Sequence, residues 1–313
     1  MTQSKKATTD LMKLVSEMEQ QYWVPLLDTP LPQLEELAPK SATDCPQLHE
    51  TFAAFHTNLS AAQSLVDFPY QLIMPLLPGI LHDCPKSVQK KIETGKKLTE
   101  EEFDIVTQMV ANALKAAHGH MSNIGNNSVL QLLLHQACLL IWGAMESFSK
   151  EVFRLTLNER PALLSALYKN PALKERFQIS ASSWQSILEN HEFNLQGKLG
   201  NIIGPAKDFS SPQLLCDLFP TMLKGMRGPG FPNKIFDHEK IKLLGQRRHL
   251  IAHRCSIVDK EYLSVTKDES QQLGQKLKLR GEDITRSLRT AASYAILVYA
   301  TARYCWPRAN EAC

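Results

Sequence analysis

The chain has 313 residues, 43% hydrophobic and 21% charged, with a net charge of +3 and ten histidines. That length and balance suit a folded protein of one large or two modest domains and exclude wholesale disorder. A net charge this mild does not announce nucleic-acid binding, so any such role has to be argued from a local site.

Seven cysteines (Cys45, Cys84, Cys138, Cys216, Cys255, Cys305 and Cys313) form an odd set with no C-x-x-C pair. This speaks against a disulfide framework and a zinc knuckle, and fits a reducing cytoplasm. The opening MTQSKKATTD places no apolar segment behind Lys5 and Lys6, so no secretory signal is expected.

Helical periodicity dominates and no stretch alternates with a period of two, which predicts an all-α fold. Leu11, Leu14, Val15, Met18 and Tyr22 open the chain at helical spacing. Pro25, Pro30, Pro32, Pro39 and Pro46 then make a connector in which each proline removes a backbone donor. Leu48, Phe52, Phe55 and Leu59 put an apolar stripe on one helical face. Pro69, Pro75, Pro78 and Gly79 break the following segment, and the lysine-rich KKIETGKK separates it from a cleaner helix. That helix starts with a capping box, Thr99 and Glu102, and buries Phe103, Val106, Val110, Ala113, Leu114 and Ala117. The stretch GHMSNIGNN, residues 119 to 127, reads as a domain boundary.

Ser128 is placed to cap a long helix running toward Asn158. Its apolar start, Val129 to Met145, is interrupted by Gln131, His135 and Gln136, which predicts a buried core helix and no membrane span. Shorter helices follow around Trp184–Leu188, Leu195–Ile203 and Leu214–Lys224, then the loop GMRGPGFPN. A helix is expected from about Glu239 to Ser256, and Ile284, Leu288, Ala291, Ala295 and Val298 mark the last one. The expected organisation is a helical region over 1–120, a larger helical domain over 125–305 and a tail over 306–313.

The informative segment is QRRHLIAHRCSIVD, residues 246 to 259, which crowds two His and three Arg onto an otherwise apolar helix. Residues turn by about 100° each, so His249 and His253 share a face while Leu244, Ile251 and Val258 keep to another. Arg248 and His253 point roughly 140° apart on a straight helix. One helix therefore joins them on a single phosphate only through the reach of the arginine, and a symmetric dimer pooling its Arg and His across one cleft is the expected solution.

Arg248, followed by the polar His249 and then by His253 after four intervening residues, resembles the signature of the HEPN superfamily. The wording RRHLIAHRCSIVDKEYL is similar to a bacterial branch whose motif helix ends in a hydrophobic-Asp turn, here Val258-Asp259. Glu146, in AMESFSKEVF, stands where such proteins commonly carry an acidic or polar residue near the cleft. The resemblance covers roughly 125–305 and leaves the first 120 or so residues unexplained.

The resemblance implies a HEPN-like helical bundle and a metal-independent endoribonuclease. In that reaction the RNA's own 2′-hydroxyl attacks phosphorus, leaving a 2′,3′-cyclic phosphate and a 5′-hydroxyl. The residue types suit it: His253 exchanges protons near neutral pH, and Arg248 offers a permanently charged fork to phosphate oxygens. Glu146 would orient one of them, His249 would be an auxiliary contact, and Arg247 and Arg254 would hold flanking phosphates. Also implied are an RNA substrate, a homodimer with a composite active site, a regulatory partner protein and a role as a cytoplasmic toxin or effector in anti-phage defence. Some relatives carry a Tyr two residues after the motif His that a partner enzyme modifies; here that position is Cys255.

Plainer readings stand beside these. Arg248 and His253 could belong to a solvated helix face, and Glu146 could pair with Lys150 four residues on. The alternative is an inactive scaffold that dimerises or binds RNA or a nucleotide for a neighbouring protein. No cofactor or metal is expected. His118 and His120 lack nearby carboxylates or Cys, no Gly-rich phosphate loop occurs, and Ser180, Ser182 and Ser183 lack a nucleophile-elbow setting.

Overall fold

The computed structural model describes residues 45–73, 83–122, 129–205, 207–227 and 236–305. Regular structure among the described residues is entirely α-helical, apart from one isolated antiparallel bridge between Ile257 and Lys276. In chain order the helices are α1 (Pro46–Ile73), α2 (Lys86–Glu93), α3 (Glu100–Ser122), α4 (Val129–Glu159), α5 (Leu163–Lys169) and α6 (Pro171–Phe177). They continue with α7 (Ala181–Asn190), α8 (Leu199–Ile203), α9 (Pro212–Arg227), α10 (His238–His253), α11 (Lys260–Thr266) and α12 (Gly281–Cys305). The all-α expectation therefore holds. The helix around Leu11, the Pro25–Pro39 part of the connector, the Ser128 cap and the 306–313 tail lie outside the described residues.

Local chemistry explains several boundaries. Thr99 and Glu102 close the capping box of α3: Glu102 Oε2 accepts from the Thr99 amide (2.8 Å) and Thr99 Oγ1 from the Glu102 amide (3.3 Å). Lys91 Nζ, 2.7 Å from Glu102, adds a charge that holds this carboxyl below its usual range, alongside the bonds from Thr99. Pro171 stands at the start of α6, whose cap is Asn170, and Ser180 caps α7 through the Ser183 amide. Three expectations fail in detail. Helix α1 continues through Pro69 to Ile73, α2 takes in the first half of the lysine-rich stretch, and α3 continues through Gly119 to Ser122. The buried face of α3 is also displaced, because Thr107 and Ala111 are inside while Phe103 is 50% exposed.

The fold divides into two compact units interleaved along the chain. One holds residues 62–137 and 278–285 of the described chain. In it the Gln131 side chain, which breaks the apolar run, clasps one backbone residue. Its Nε2 donates to the Leu279 carbonyl (2.7 Å) and its Oε1 accepts from the Leu279 amide (3.0 Å). The other holds the described residues 45–61, 138–277 and 286–305. Its core uses the predicted stripe of α1: Phe52 lies 4.9 Å from Tyr299 and Phe55 4.9 Å from Phe148 between ring centroids. Ile284 of the first unit, and Leu288, Ala291, Ala295 and Val298 of the second, are buried along α12 as expected. The most apolar window of α4 meets the length and composition of a membrane span, and half of it is buried within the protein.

Candidate functional site

Helix α10 starts where Asp237 Oδ1 accepts from the Lys240 amide (3.2 Å). It buries Ile241, Leu244, Gly245, Arg247 and Leu250. Gly245 allows this depth. A Cβ there would lie 2.4 Å from Pro212 Cγ, at the start of α9, and 3.0 Å from the Trp142 ring of α4. A bare backbone at this position seats the motif helix against two others.

The helix ends at His253, three residues before the expected boundary. Cys255 and Ser256 both adopt left-handed backbone conformations (φ 51° and 62°), costing about 1 kcal/mol each for residues with a side chain. Hydrogen bonds offset that cost. The Leu250 carbonyl accepts from the amides of both Arg254 (3.0 Å) and Ser256 (2.9 Å). Beyond the turn, Val258 exchanges bonds with Gln275 and Gly274, and the Leu277 amide donates to the Ser256 carbonyl (2.7 Å). Val258 is buried and Asp259 caps α11 by accepting from the Tyr262 amide (2.8 Å), so the Val258-Asp259 turn starts the next helix and does not end this one.

The turn leaves His253 exposed on the last helical position, and the Arg248 side chain reaches it: Nη1 lies 3.1 Å from His253 Nε2. Arginine has no acceptor, so this bond requires Nε2 to carry a lone pair and the ring proton to reside on Nδ1. The divergence on an ideal helix is thus overcome inside one chain, and no second copy is needed to bring the two groups together. His249 shares the face, with its ring centroid 5.3 Å from that of His253.

The other expected site residues divide. Arg254 is exposed, with Nε 3.9 Å from Asp259 Oδ2, close to the turn. Arg247 is not on this face and cannot hold a flanking phosphate. It is 6% exposed, its guanidinium lies 3.5 Å from Asp268 Oδ2, and it hydrogen-bonds the Tyr262 hydroxyl, which in turn donates to Asp268 Oδ2 (2.7 Å). One helical step, about 100°, separates the buried arginine from the one beside His253. Glu146 is half-buried on α4, one turn beyond Trp142. No hydrogen bond or ion pair joins it to Arg248 or His253 among the described residues, nor to Lys150, whose Nζ reaches toward the Pro205 carbonyl (3.5 Å).

Asp208, which the sequence reading did not select, lies within the field of Arg248, and Arg176 acts on the same carboxylate. Asp208 Oδ1 accepts from the Ser210 amide (2.8 Å) and Oδ2 from the Ser210 hydroxyl (2.9 Å). These bonds, with the positive fields of Arg176 and Arg248, hold its carboxyl below the usual range. Arg176 Nη2 donates to Ser211 Oγ (3.3 Å) in the same segment. The local signal was present, since D-F-S-S-P reads as an Asx turn ahead of a helix opened by Pro212. Nothing local says which helix that turn faces.

Cys45, Cys84, Cys138 and Cys216 are buried and not in disulfides, and burial pushes Cys216 up to about 12. Cys255 is free and exposed. Among the described residues no group of three or more His, Cys, Asp or Glu is placed to hold a metal ion. Comparison with protein-family profiles, curated proteins and solved structures finds no match to this chain.

Proposed function

We propose that the protein is an endoribonuclease of the HEPN type, with Arg248 and His253 as its catalytic pair. The observation that carries this reading is the 3.1 Å approach of Arg248 Nη1 to His253 Nε2 on an accessible helix end. A bare phosphodiester entering there displaces the Arg–His bond. The guanidinium then turns its fork to the non-bridging oxygens, and Nε2 is free to accept the 2′-hydroxyl proton. O2′ bonds to phosphorus as the P–O5′ bond breaks. The leaving 5′-oxygen takes a proton, for which His249 on the same face is the nearest imidazole. The products are a 2′,3′-cyclic phosphate and a 5′-hydroxyl. Arg254 meets an adjacent phosphate, while the Asp208 carboxylate lies within the field of Arg248. A homodimer enters the proposal as two such pairs across one cleft, each complete in its own chain. The biological setting proposed is a cytoplasmic toxin or effector, with a HEPN-like bundle at its centre.

The test is cleavage of total RNA by the full chain with and without EDTA, followed by mapping of the new ends. Removing the arginine should cost about 10²–10³-fold and removing the histidine about 10²–10⁴-fold, with the fold intact. Cleavage that survives both Arg248→Ala and His253→Ala, or that EDTA abolishes, overturns the reading. RNA that is bound but left uncut by the wild type would favour the scaffold reading.

A further inference from the structure

The start of α9 links a further arginine to the face of α10 that carries Arg248 and His249. The two helices meet at Gly245, where a Cβ would lie 2.4 Å from Pro212 Cγ. On a regular helix Arg248 points about 60° to one side of Gly245 and His249 about 40° to the other. The face that Pro212 covers is therefore, one turn on, the face of Arg248 and His249. Arg176 reaches the same segment from α6. It stands in the last turn of that helix, where the terminal carbonyls attract a cation. Yet its Nη2 donates to Ser211 Oγ (3.3 Å), 35 residues along the chain and next to Pro212. The side chain is exposed, and this single bond to a neutral hydroxyl leaves most of its N–H donors for another acceptor.

We propose that Arg176 binds a phosphate of the RNA strand flanking the one held by Arg248, so that the substrate lies across the start of α9 as well as the end of α10. The inference rests on the reading that RNA enters at Arg248 and His253. A guanidinium fork matches the non-bridging oxygens of a phosphodiester, and such contacts set the register of a strand without reading its bases. Asp208 ties the two arginines to one region, because its carboxylate lies within the fields of both. It does not take the place of the RNA. Its oxygens are engaged by the Ser210 amide (2.8 Å) and hydroxyl (2.9 Å), and neither arginine closes an ion pair with it among the described residues.

The experiment is fluorescence anisotropy of the full chain with a labelled 2′-O-methyl oligonucleotide of randomised sequence, repeated over a range of salt concentrations. This probe keeps the phosphates and lacks the attacking hydroxyl. Arg176→Gln should lower the slope of log affinity against log salt by about 0.7, the share of one phosphate on a single strand, and weaken binding about fivefold at roughly 0.1 M salt. Arg176→Lys keeps the charge and should keep the slope, whereas an arginine that only braced Ser211 would give the same loss in both variants. Lys174→Gln, exposed on the same helix, should leave both readouts unchanged. In cleavage of an unmodified strand, Arg176→Gln should raise KM with kcat held, because this phosphate is bound alike before and during the reaction. RNA left uncut but bound in an Arg176-dependent way removes the nuclease reading and keeps this one. Cleavage with affinity, slope and KM unchanged in Arg176→Gln overturns this one alone. Equal losses in Arg176→Lys and Arg176→Gln, an equal loss in Lys174→Gln, or no binding by the wild type also overturns it.

Discussion

Replacing Asp268 by alanine tests how the motif helix is anchored. Arg247 and Asp268 expose 7% and 13% of their side chains, and Tyr262, itself buried, bridges them. Removing the carboxylate leaves a guanidinium in a nearly water-free site, which costs about 3–5 kcal/mol, far more than a surface ion pair would. Tyr262→Phe removes only one bond of a carboxylate that keeps Arg247 and Ser270, and should cost about 1 kcal/mol. Arg247→Met should fall between them at about 2 kcal/mol, because Asp268 retains its hydroxyl and amide donors. The double variant Arg247→Met/Asp268→Ala should recover much of the loss, since neither charge is then stranded. Urea unfolding monitored by circular dichroism reads all four, with a constant denaturant slope as the check on two-state comparison. An Asp268→Ala protein within about 1 kcal/mol of wild type, or a double variant no better than the sum of its singles, would refute the claim that Arg247 is a buried structural cation.

Three further outcomes follow from the same geometry. Gly245→Ala should lower stability by a net ~1–2 kcal/mol, because crowding against Pro212 and Trp142 outweighs the roughly 1 kcal/mol gained in helix propensity; an unchanged melting temperature would contradict it. For Asp268, burial raises the carboxyl pKa, but the bonds from Ser270 and Tyr262 and the Arg247 charge outweigh it, so the folded value lies below 3.8. Its stabilisation is thus fully present above 3.8 and lost as pH falls through the folded value, so the urea-midpoint gap between wild type and Asp268→Asn should shrink from about pH 5 to pH 2.5. Finally, mixing Arg248→Ala and His253→Ala chains under exchange should not restore cleavage, because each chain supplies both members of the pair; restored activity would mean a site shared between copies.

The sequence revealed what depends on neighbours along the chain and missed what depends on neighbours in space. The α3 capping box, the Leu48–Leu59 stripe and the last-helix pattern were all legible, because caps and periodicity are local. The end of α10 was not. Its stop signal is neither Gly nor Pro but two strained residues, held where the Ser256 amide donates to the Leu250 carbonyl and the Ser256 carbonyl accepts from Leu277, some twenty residues on. The approach of Arg248 to His253 was also missed, since the 140° divergence describes the directions of two side chains on one helix and leaves out the reach of the longer one. Arg247 and Arg248 have the same composition signal; only the position of Asp268 separates a core ion from one at the helix surface. Phe103 was assigned to a buried face from period alone, although Thr107 and Ala111 take that role.

The pairing of Phe52 with Tyr299 carries a consequence for synthesis. One ring belongs to the first described helix and the other to the last, so the larger core cannot close while the chain is still emerging from the ribosome. Loop closure over nearly the whole polypeptide makes late, slow folding the expected course. Until α12 is released, Phe52, Phe55 and Phe148 have to wait without Tyr299, leaving apolar surface open to association with other chains. It also means that removing residues 1–120 would delete part of this core and would not detach a separate domain.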